Sequence, residues 1–371
     1  MSRKSVNGLL IYEFLKNSAI SLIGVFIPVY ILSQGHGLGL AALFIGVSGL
    51  TGVLLSLPVS RVIHSKGLRS SLFASYIFLV PGLLLVRSFE LSLLVVVTSG
   101  LLYGIGNLFH WIGLDAAFAA DSDGDRRSMA SGKILSLPKV SRILGPLAGG
   151  VVFASLGFAV LVSVSVVLLL LSGVPLLWVN RGTGKSYRFG EILSREKRRM
   201  VPVFVIRGVQ AASSVGVFGM FVFLLVGGAL DVGAANALGS LGFVLTGLLA
   251  GKADSNGERN LLVSAGGLGA AAMYVARGLV VTPFQAFAVS FISGIFFQVY
   301  HVPVYARFAD EAEMYGSLAF NTLKRICFSL GTLVTILLLL CSRYFFSLRS
   351  SFIAVFLAAS VGSLLMVRIL S

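Results

Sequence analysis

The sequence predicts an all-α polytopic membrane protein with twelve transmembrane helices in two pseudo-symmetric six-helix bundles. Of its 371 residues, 57% are apolar and only 12% are charged, with a mean hydropathy of +0.96. Soluble domains carry about 25% charged residues. Apolar runs long enough to cross a bilayer recur along the whole chain, and the second half repeats features of the first. Together these three observations favour lipid as the solvent of the folded chain.

The apolar runs divide into spans of about 20 residues, the length that a helix needs to cross a bilayer. Residues 17–60 contain no charged side chain, which is enough for two spans separated at 34–37. Residues 143–180 are also free of charge and hold two spans with a soft turn near 155–157. The expected spans lie near 10–33, 40–60, 70–88, 91–118, 131–156, 157–179, 201–227, 233–251, 260–279, 284–307, 317–342 and 350–369.

Basic residues alternate between the two sides of this arrangement. With both termini inside, 22 of the 29 lysines and arginines fall on the inner side. The outer side holds only Arg87, Arg277, Arg343 and Arg349. This asymmetry follows the positive-inside rule, so we expect an integral protein of the plasma (inner) membrane with cytoplasmic termini. Topology then explains the net charge of +15, and no nucleic-acid partner is expected.

The densest basic segment defines the expected domain organisation. Residues 181–200 form the one long polar linker and follow the sixth span. We expect an N-terminal six-helix bundle at 1–180, a cytoplasmic linker loop at 181–200 and a C-terminal six-helix bundle at 201–371. The halves also match at an offset of 190 residues, at which Gly49 falls on Gly239 and Gly104 on Gly294. An offset of 192 aligns residues 24–26 with 216–218.

Two local motifs accompany the repeat. After span eight, Asp254, Gly257 and Arg259 match a loop pattern Gly-x-Leu-Ala-Asp-Arg-x-Gly-Arg-Lys, of which Gly67 and Arg69 survive after span two. Span five follows the pattern Gly-x8-Gly-x3-Gly-Pro-x2-Gly-Gly with one departure, a serine at its second position. Its residues are Gly132, Ser141, Gly145, Pro146, Gly149 and Gly150.

With these motifs, the whole chain resembles the major facilitator superfamily. The resemblance implies a secondary active transporter that works by alternating access, with spans one, four, seven and ten lining its cavity. It also implies that Asp254 latches the cytoplasmic side and that the span-five motif is of the antiporter type. The residues themselves also permit simpler roles. Asp254 is equally compatible with a solvated loop acid, and Ser141, Gly145 and Gly149 share a helical face suited to close packing.

Polar and aromatic residues within the spans are the candidates for the solute site, because charged groups inside a membrane are usually functional. They are Asn107, His110, Trp111, Asp115, Lys139, Arg142, Arg207, Gln210, Tyr300 and His301. The buried bases outnumber the acids within reach, Asp115 and Glu13, which favours an anionic or carboxylate-bearing solute. Alternatively, Asp115 neutralises one base as a structural pair. The two histidines titrate near neutral pH, so they could couple transport to protons or simply pack.

Other classes of protein fit the sequence less well. Cys327 and Cys341 share one apolar segment and provide no disulfide or metal framework, and we expect no cofactor and no metal. Among membrane-embedded enzymes, an intramembrane aspartyl protease would need two aspartates deep in the spans, and only Asp115 approaches that position. A transporter-like sensor or assembly partner stays open because the first loop motif is eroded. We therefore expect a transporter, monomeric and without enzymatic activity, whose partners are a small-molecule solute, the lipid bilayer and a coupling ion such as H⁺.

Overall fold

The structure is a computed structural model that describes residues 3–87, 90–120, 126–179, 200–255, 259–315 and 317–370. Within these ranges, it does not describe the side chains of residues 3–6, 115–120, 126–139, 248–249, 251–255, 306, 309–315 and 317.

Helices account for nearly all of these residues, and the described ranges contain no strand. Ten helical stretches are long and apolar enough to cross a bilayer; the longest holds two spans, and residues 140–156 add another apolar helix. The described chain therefore has the twelve spans that the sequence predicts. They are Arg3–Ile23 with Phe26–Ser33 (span one), Leu38–Val86 (spans two and three), Leu93–Ala120 (four), Arg126–Leu156 (five), Phe158–Ser172 with the 3-10 helix Val174–Trp178 (six), Val201–Ala211 to Phe218–Leu225 (seven), Ala229–Ser255 (eight), Arg259–Leu279 (nine), Pro283–Tyr315 (ten), Ser317–Phe345 (eleven) and Leu348–Leu370 (twelve).

Spans two and three are joined more tightly than the sequence predicts. The expected loop at 61–69 is helical except at Gly67, whose φ of 79° and ψ of 170° interrupt the helix. Gly104 of span four packs on Thr51 and Gly106 packs on Leu79, so the two spans run antiparallel on either side of Gly67. This backbone region is essentially restricted to glycine, which explains how so short a connection reverses the chain.

Spans one and seven are both interrupted at the position where the sequence repeat aligns them. In span one the helix breaks at Gly24 and Val25. Pro28 lies four residues after Gly24, and its ring and missing N–H prevent a helical hydrogen bond to that carbonyl. In span seven a π-helical turn occupies Ala212–Val217. Such turns are rare and frequently occur at functional sites, which draws attention to this part of span seven.

The repeat extends to helix packing. Gly104 of span four lies against Thr51 of span two, and its counterpart Gly294 of span ten lies against Gly239 of span eight. The two halves also meet, among other places, between spans five and eight and between spans two and eleven. Gly150 of span five approaches Gly233 of span eight, where a Cβ on Gly150 would stand 3.3 Å from the Gly233 Cα. On the other side, Thr322 of span eleven donates a hydrogen bond of 2.9 Å to Ser60 of span two.

Replacement of Gly67 by alanine should destabilise the protein. The added Cβ disfavours the observed φ of 79°, which should lower stability by about 1–3 kcal/mol. Thermal unfolding of the purified protein in detergent would measure the effect. Gly39→Ala is the matched control, because a Cβ there meets no atom within 4 Å. Equal melting temperatures for the two variants would contradict the assignment of the chain reversal to Gly67.

Candidate functional site

A central cavity of about 470 Å³ lies among spans four, five and seven to eleven. Its volume is in the range of small-molecule sites. Most of its wall comes from the second half of the chain, whereas the first half contributes Trp111 and Arg142. Ala211, Ser214 and Val215 reach it from the interrupted region of span seven. The break in the helix therefore faces the cavity.

All the Lys, Arg, Asp and Glu side chains described in the cavity wall are positively charged. Its described side chains include five bases and no aspartate or glutamate. The bases are Arg142, Arg207, Arg277, Lys324 and Arg325. Arg142 stays exposed although it lies mid-span, because it projects into the cavity rather than into packed protein. With five positive side chains and no described acid in its wall, the cavity is suited to a ligand that brings negative charge.

A hydrogen-bonded cluster fixes the position of Arg207. Its Nη1 donates to the Tyr300 hydroxyl at 2.7 Å and to the Gln210 Oε1 at 3.3 Å. Tyr300 also donates to Gln210, and the Gln210 Nε2 donates to the Ser363 Oγ at 2.9 Å. The guanidinium lies 4.6 Å from the centre of the Phe297 ring. Tyr300 and Gln210 are fully buried. Their hydrogen bonds therefore hold Arg207 on the side away from the cavity, while Arg207 itself lines the cavity.

Aromatic rings form much of the remaining wall. His301 stacks on Phe297 and Tyr305 with ring centroids 5.6 and 5.5 Å away. The Arg325 guanidinium lies 5.4 Å from the Trp111 ring centroid. Cations over aromatic faces are held by the ring quadrupole. The cavity thus combines fixed positive charge with a flat apolar surface.

A second polar cluster lies inside the first half. The Tyr12 hydroxyl is 2.7 Å from the His110 Nδ1, and the His110 Nε2 is 3.7 Å from the Glu13 carboxylate. Asn17 donates to the other Glu13 oxygen at 2.9 Å. Lys16 is 1% exposed, and its ammonium group makes no hydrogen bond among the described residues. The cluster gathers an acid, a base and an imidazole in the buried interior.

The fold and the sequence comparison identify the family. The family model of the Major Facilitator Superfamily matches residues 9–332. The chain belongs to this superfamily. Among solved structures, it is similar to a POT family transporter crystallised in complex with a thioalcohol-conjugated peptide. The two chains are 11% identical, with a TM-score of 0.75 over 97% of this chain and 94% of that one. At that identity, the likeness shows the fold alone. No curated protein matches the sequence.

Membership in the superfamily makes the chain a secondary transporter of the membrane rather than an enzyme.

The structure also shows which helix the span-five motif packs against. Ser141 lies 2.9 Å from Ser18 of span one, Oγ to Oγ. A Cβ on Gly145 would meet Ser21, and one on Gly149 would overlap the Leu22 carbonyl. Ser141, Gly145 and Gly149 therefore pack against span one, and a role of this face in antiport stays a prediction.

Several predicted residues lie away from the cavity. Asn107 donates to the Tyr103 carbonyl at 3.0 Å within span four. Arg69 lies 5.8 Å from the Phe73 ring, and Arg259 begins span nine. Further predicted residues lie outside the described side chains, so the Asp254 latch and the pairing of Asp115 stay predictions. These residues are Asp115, Lys139, Gly132, Asp254 and Gly257.

Sequence reasoning misses four of the interior bases. The positive-inside pattern assigns Lys16, Lys324 and Arg325 to the inner side and Arg277 to the outer side. In the structure, Lys324 and Arg325 belong to helix Ser317–Phe345 and face the cavity, whereas Arg277 is only 7% exposed. A sharper signal exists for Lys16, Lys324 and Arg325, since all three lie well inside predicted spans. Arg277 gives a weaker signal, because it lies near the end of its predicted span, a place typical of an interfacial base.

Replacement of Gln210 by leucine should destabilise the protein and disturb Arg207. The change leaves the Tyr300 hydroxyl without an acceptor and Arg207 with one hydrogen bond fewer, at a cost of about 1–3 kcal/mol per buried group left unsatisfied. Thermal unfolding in detergent would measure the loss. Gln298→Leu is the control, since Gln298 is equally buried but its Oε1 makes no hydrogen bond among the described residues. Equal losses in both variants would contradict a special role for the Gln210 cluster.

Proposed function

We propose that the chain transports a small anionic solute through the central cavity. The observation that carries this proposal is the set of five bases on the cavity wall, whose described residues include no aspartate or glutamate. At an effective dielectric constant of about 20, a carboxylate about 4 Å from one guanidinium gains about 4 kcal/mol of Coulomb energy before desolvation. Several converging bases increase that gain. A cationic solute would be repelled by the same charges.

The shape of the wall supports an anion with an apolar body. Trp111, Phe243, Phe297 and Phe328 all line the cavity, and burial of apolar surface adds about 25 cal/mol per Å². Lys324 and Arg325 are held near Tyr305 and Trp111 by cation–π contacts of 6.0 and 5.4 Å. An aryl or alkyl carboxylate satisfies both features, because its charged end meets the bases while its body lies on the rings.

Thermal stabilisation would test the preference for anions. We expect aryl and alkyl carboxylates to raise the melting temperature of the purified protein, and the corresponding neutral amides to have little effect. Arg142→Gln should weaken carboxylate binding by about tenfold or more, since hydrogen bonds to charged groups contribute about 1.5–3 kcal/mol. Arg343→Gln is the control, because Arg343 is exposed and donates to the Phe346 carbonyl. Stabilisation only by neutral or cationic compounds would rule out the anion proposal.

We also propose that His110 carries a coupling proton. It touches Tyr12 and Glu13 of span one, and Lys16 and Arg325 lie within electrostatic range. A proton gained or lost there changes the charge balance beside both span one and span eleven, which borders the cavity. His301 is the alternative carrier, but it lies in the cavity wall among aromatic rings.

Uptake into proteoliposomes at several external pH values would test proton coupling. We expect His110→Gln to remove most of the pH dependence of uptake. His301→Gln should lower the rate but keep the pH dependence, and His36→Gln, in the turn after span one, is the control. Unchanged pH dependence in His110→Gln would refute the assignment. If neither wild type nor variants moved any solute, the sensor alternative would replace transport.

The proposal also covers membrane location, domain organisation and oligomeric state. The inner-side excess of bases supports a plasma (inner) membrane location with cytoplasmic termini. We further propose that 181–200 links bundles at 1–180 and 201–371; nearly all of this linker lies outside the described residues. The cavity wall is formed within a single chain, which supports a monomer as the working unit.

A further inference from the structure

Arg277 has the most unusual environment of the cavity bases. It lies in the last turn of span nine and is only 7% exposed, yet it belongs to the cavity wall. Its guanidinium carbon lies 4.8 Å from the Phe218 ring centroid and 5.1 Å from that of Tyr274. These rings enclose the charge on its apolar sides. The cation is therefore withdrawn from the membrane surface and directed at the interior.

The polar partners of Arg277 are neutral. Its Nη1 donates to the Ser214 Oγ at 2.8 Å, and Ser214 lies 2.9 Å from the Tyr274 hydroxyl, oxygen to oxygen. Tyr274 in turn donates to the Gln210 carbonyl at 3.1 Å. The Arg277 Nε has no hydrogen-bond partner among the described residues, and no described carboxylate pairs with it. A buried guanidinium in this state carries a large desolvation penalty, which a bound anion would offset.

The interrupted helix of span seven positions this group. Ser214 belongs to the π-helical turn Ala212–Val217, and Gln210 lies in the helical turn just before it. A π-helical turn widens the helix locally and here brings the Ser214 hydroxyl to the cavity wall, where it meets span nine. Arg277, Ser214 and Tyr274 thus form a built pocket from two spans, with a donor that has no acceptor among the described residues.

This pocket is separated in depth from the bases of span eleven. Spans nine and eleven begin at the same membrane face, because span ten returns the chain between them. At about 1.5 Å per residue, Arg277 lies about 27 Å along span nine and Lys324 about 10 Å along span eleven. Long side chains shorten the gap between the charges, but the cavity still has cationic groups at two levels.

We propose that Arg277, with Ser214 and Tyr274, forms a second anion subsite at the far level of the cavity. It receives an anionic group, either the second carboxylate of a dianionic solute or a free inorganic anion. The inference rests on the proposed transport of anions and adds that the cavity binds two negatively charged groups. The aromatic wall between the levels then contacts the apolar middle of the solute.

Thermal stabilisation of the purified full chain would test the subsite. The probes are α,ω-alkane dicarboxylates of increasing length, monocarboxylates of equal length, and sulfate. We expect wild type to bind at least one dicarboxylate about tenfold more tightly than its monocarboxylate, with an optimum in chain length. Arg277→Gln should remove this preference, because the dicarboxylate loses much more affinity than its monocarboxylate. Ser214→Ala should reduce it, and Arg343→Gln should not change it.

The outcomes separate the subsite from the transport proposal. If Arg277→Gln abolishes the response to sulfate and no dicarboxylate is preferred, the subsite stands and its occupant is a free inorganic anion. If the variant discriminates dicarboxylates as wild type does, the subsite is refuted while anion transport survives. If no anion stabilises wild type, the anion-transport proposal fails, and the subsite that rests on it fails as well. The unliganded Arg277→Gln protein should melt no lower than wild type, because it loses a desolvated charge; a large drop would instead assign Arg277 a structural role and overturn the subsite.

Discussion

Close approach between helix backbones is the constraint on which the rest of this structure depends. Lipid chains are as apolar as leucine, so transmembrane helices gain little by hiding apolar side chains from lipid and depend on tight van der Waals contact instead. Gly149 against Leu22, Gly150 against Gly233 and Gly294 against Gly239 provide such contact. Wherever these small residues meet, no long side chain fits between the helices. The long basic side chains therefore project where the helices diverge, and that space is the central cavity.

The two halves use interior charge differently. In the first half, His110, Glu13 and Tyr12 contact one another directly, and the base Lys16 lies within electrostatic range of Glu13. In the second half, the described cavity wall presents Arg207, Arg277, Lys324 and Arg325 without an acid. The two halves therefore differ in the charges that their described interiors bring together. Under the proposed function, solute binding falls mainly to the second half and proton exchange to the first.

The two interrupted spans, one and seven, each carry residues of one of these two polar regions. Span one breaks at Gly24 and Val25, and span seven changes to a π-helical turn at Ala212–Val217. Both interruptions occupy equivalent places in the repeat. The break in span seven brings Ser214 to the cavity wall, and span one carries Glu13 and Lys16 beside span four. Irregular backbone at membrane depth is tolerated where it is buried in protein or lines a cavity, and the span-seven turn fulfils the second condition.

The sequence by itself determined the membrane class, the twelve spans and the repeat, because each depends on composition and periodicity, which are local properties. The matches of Gly104 with Gly294 and of residues 24–26 with 216–218 also have structural counterparts. Part of the polar cavity wall was also predicted, namely Trp111, Arg142, Arg207 and His301. The tertiary structure alone decided that Arg277 turns inward, that Gln210 and Tyr300 hold Arg207, and that His110 meets Glu13. The physical reason is that the energy of a charge depends on its neighbours from other helices, and a linear sequence does not state which helices converge.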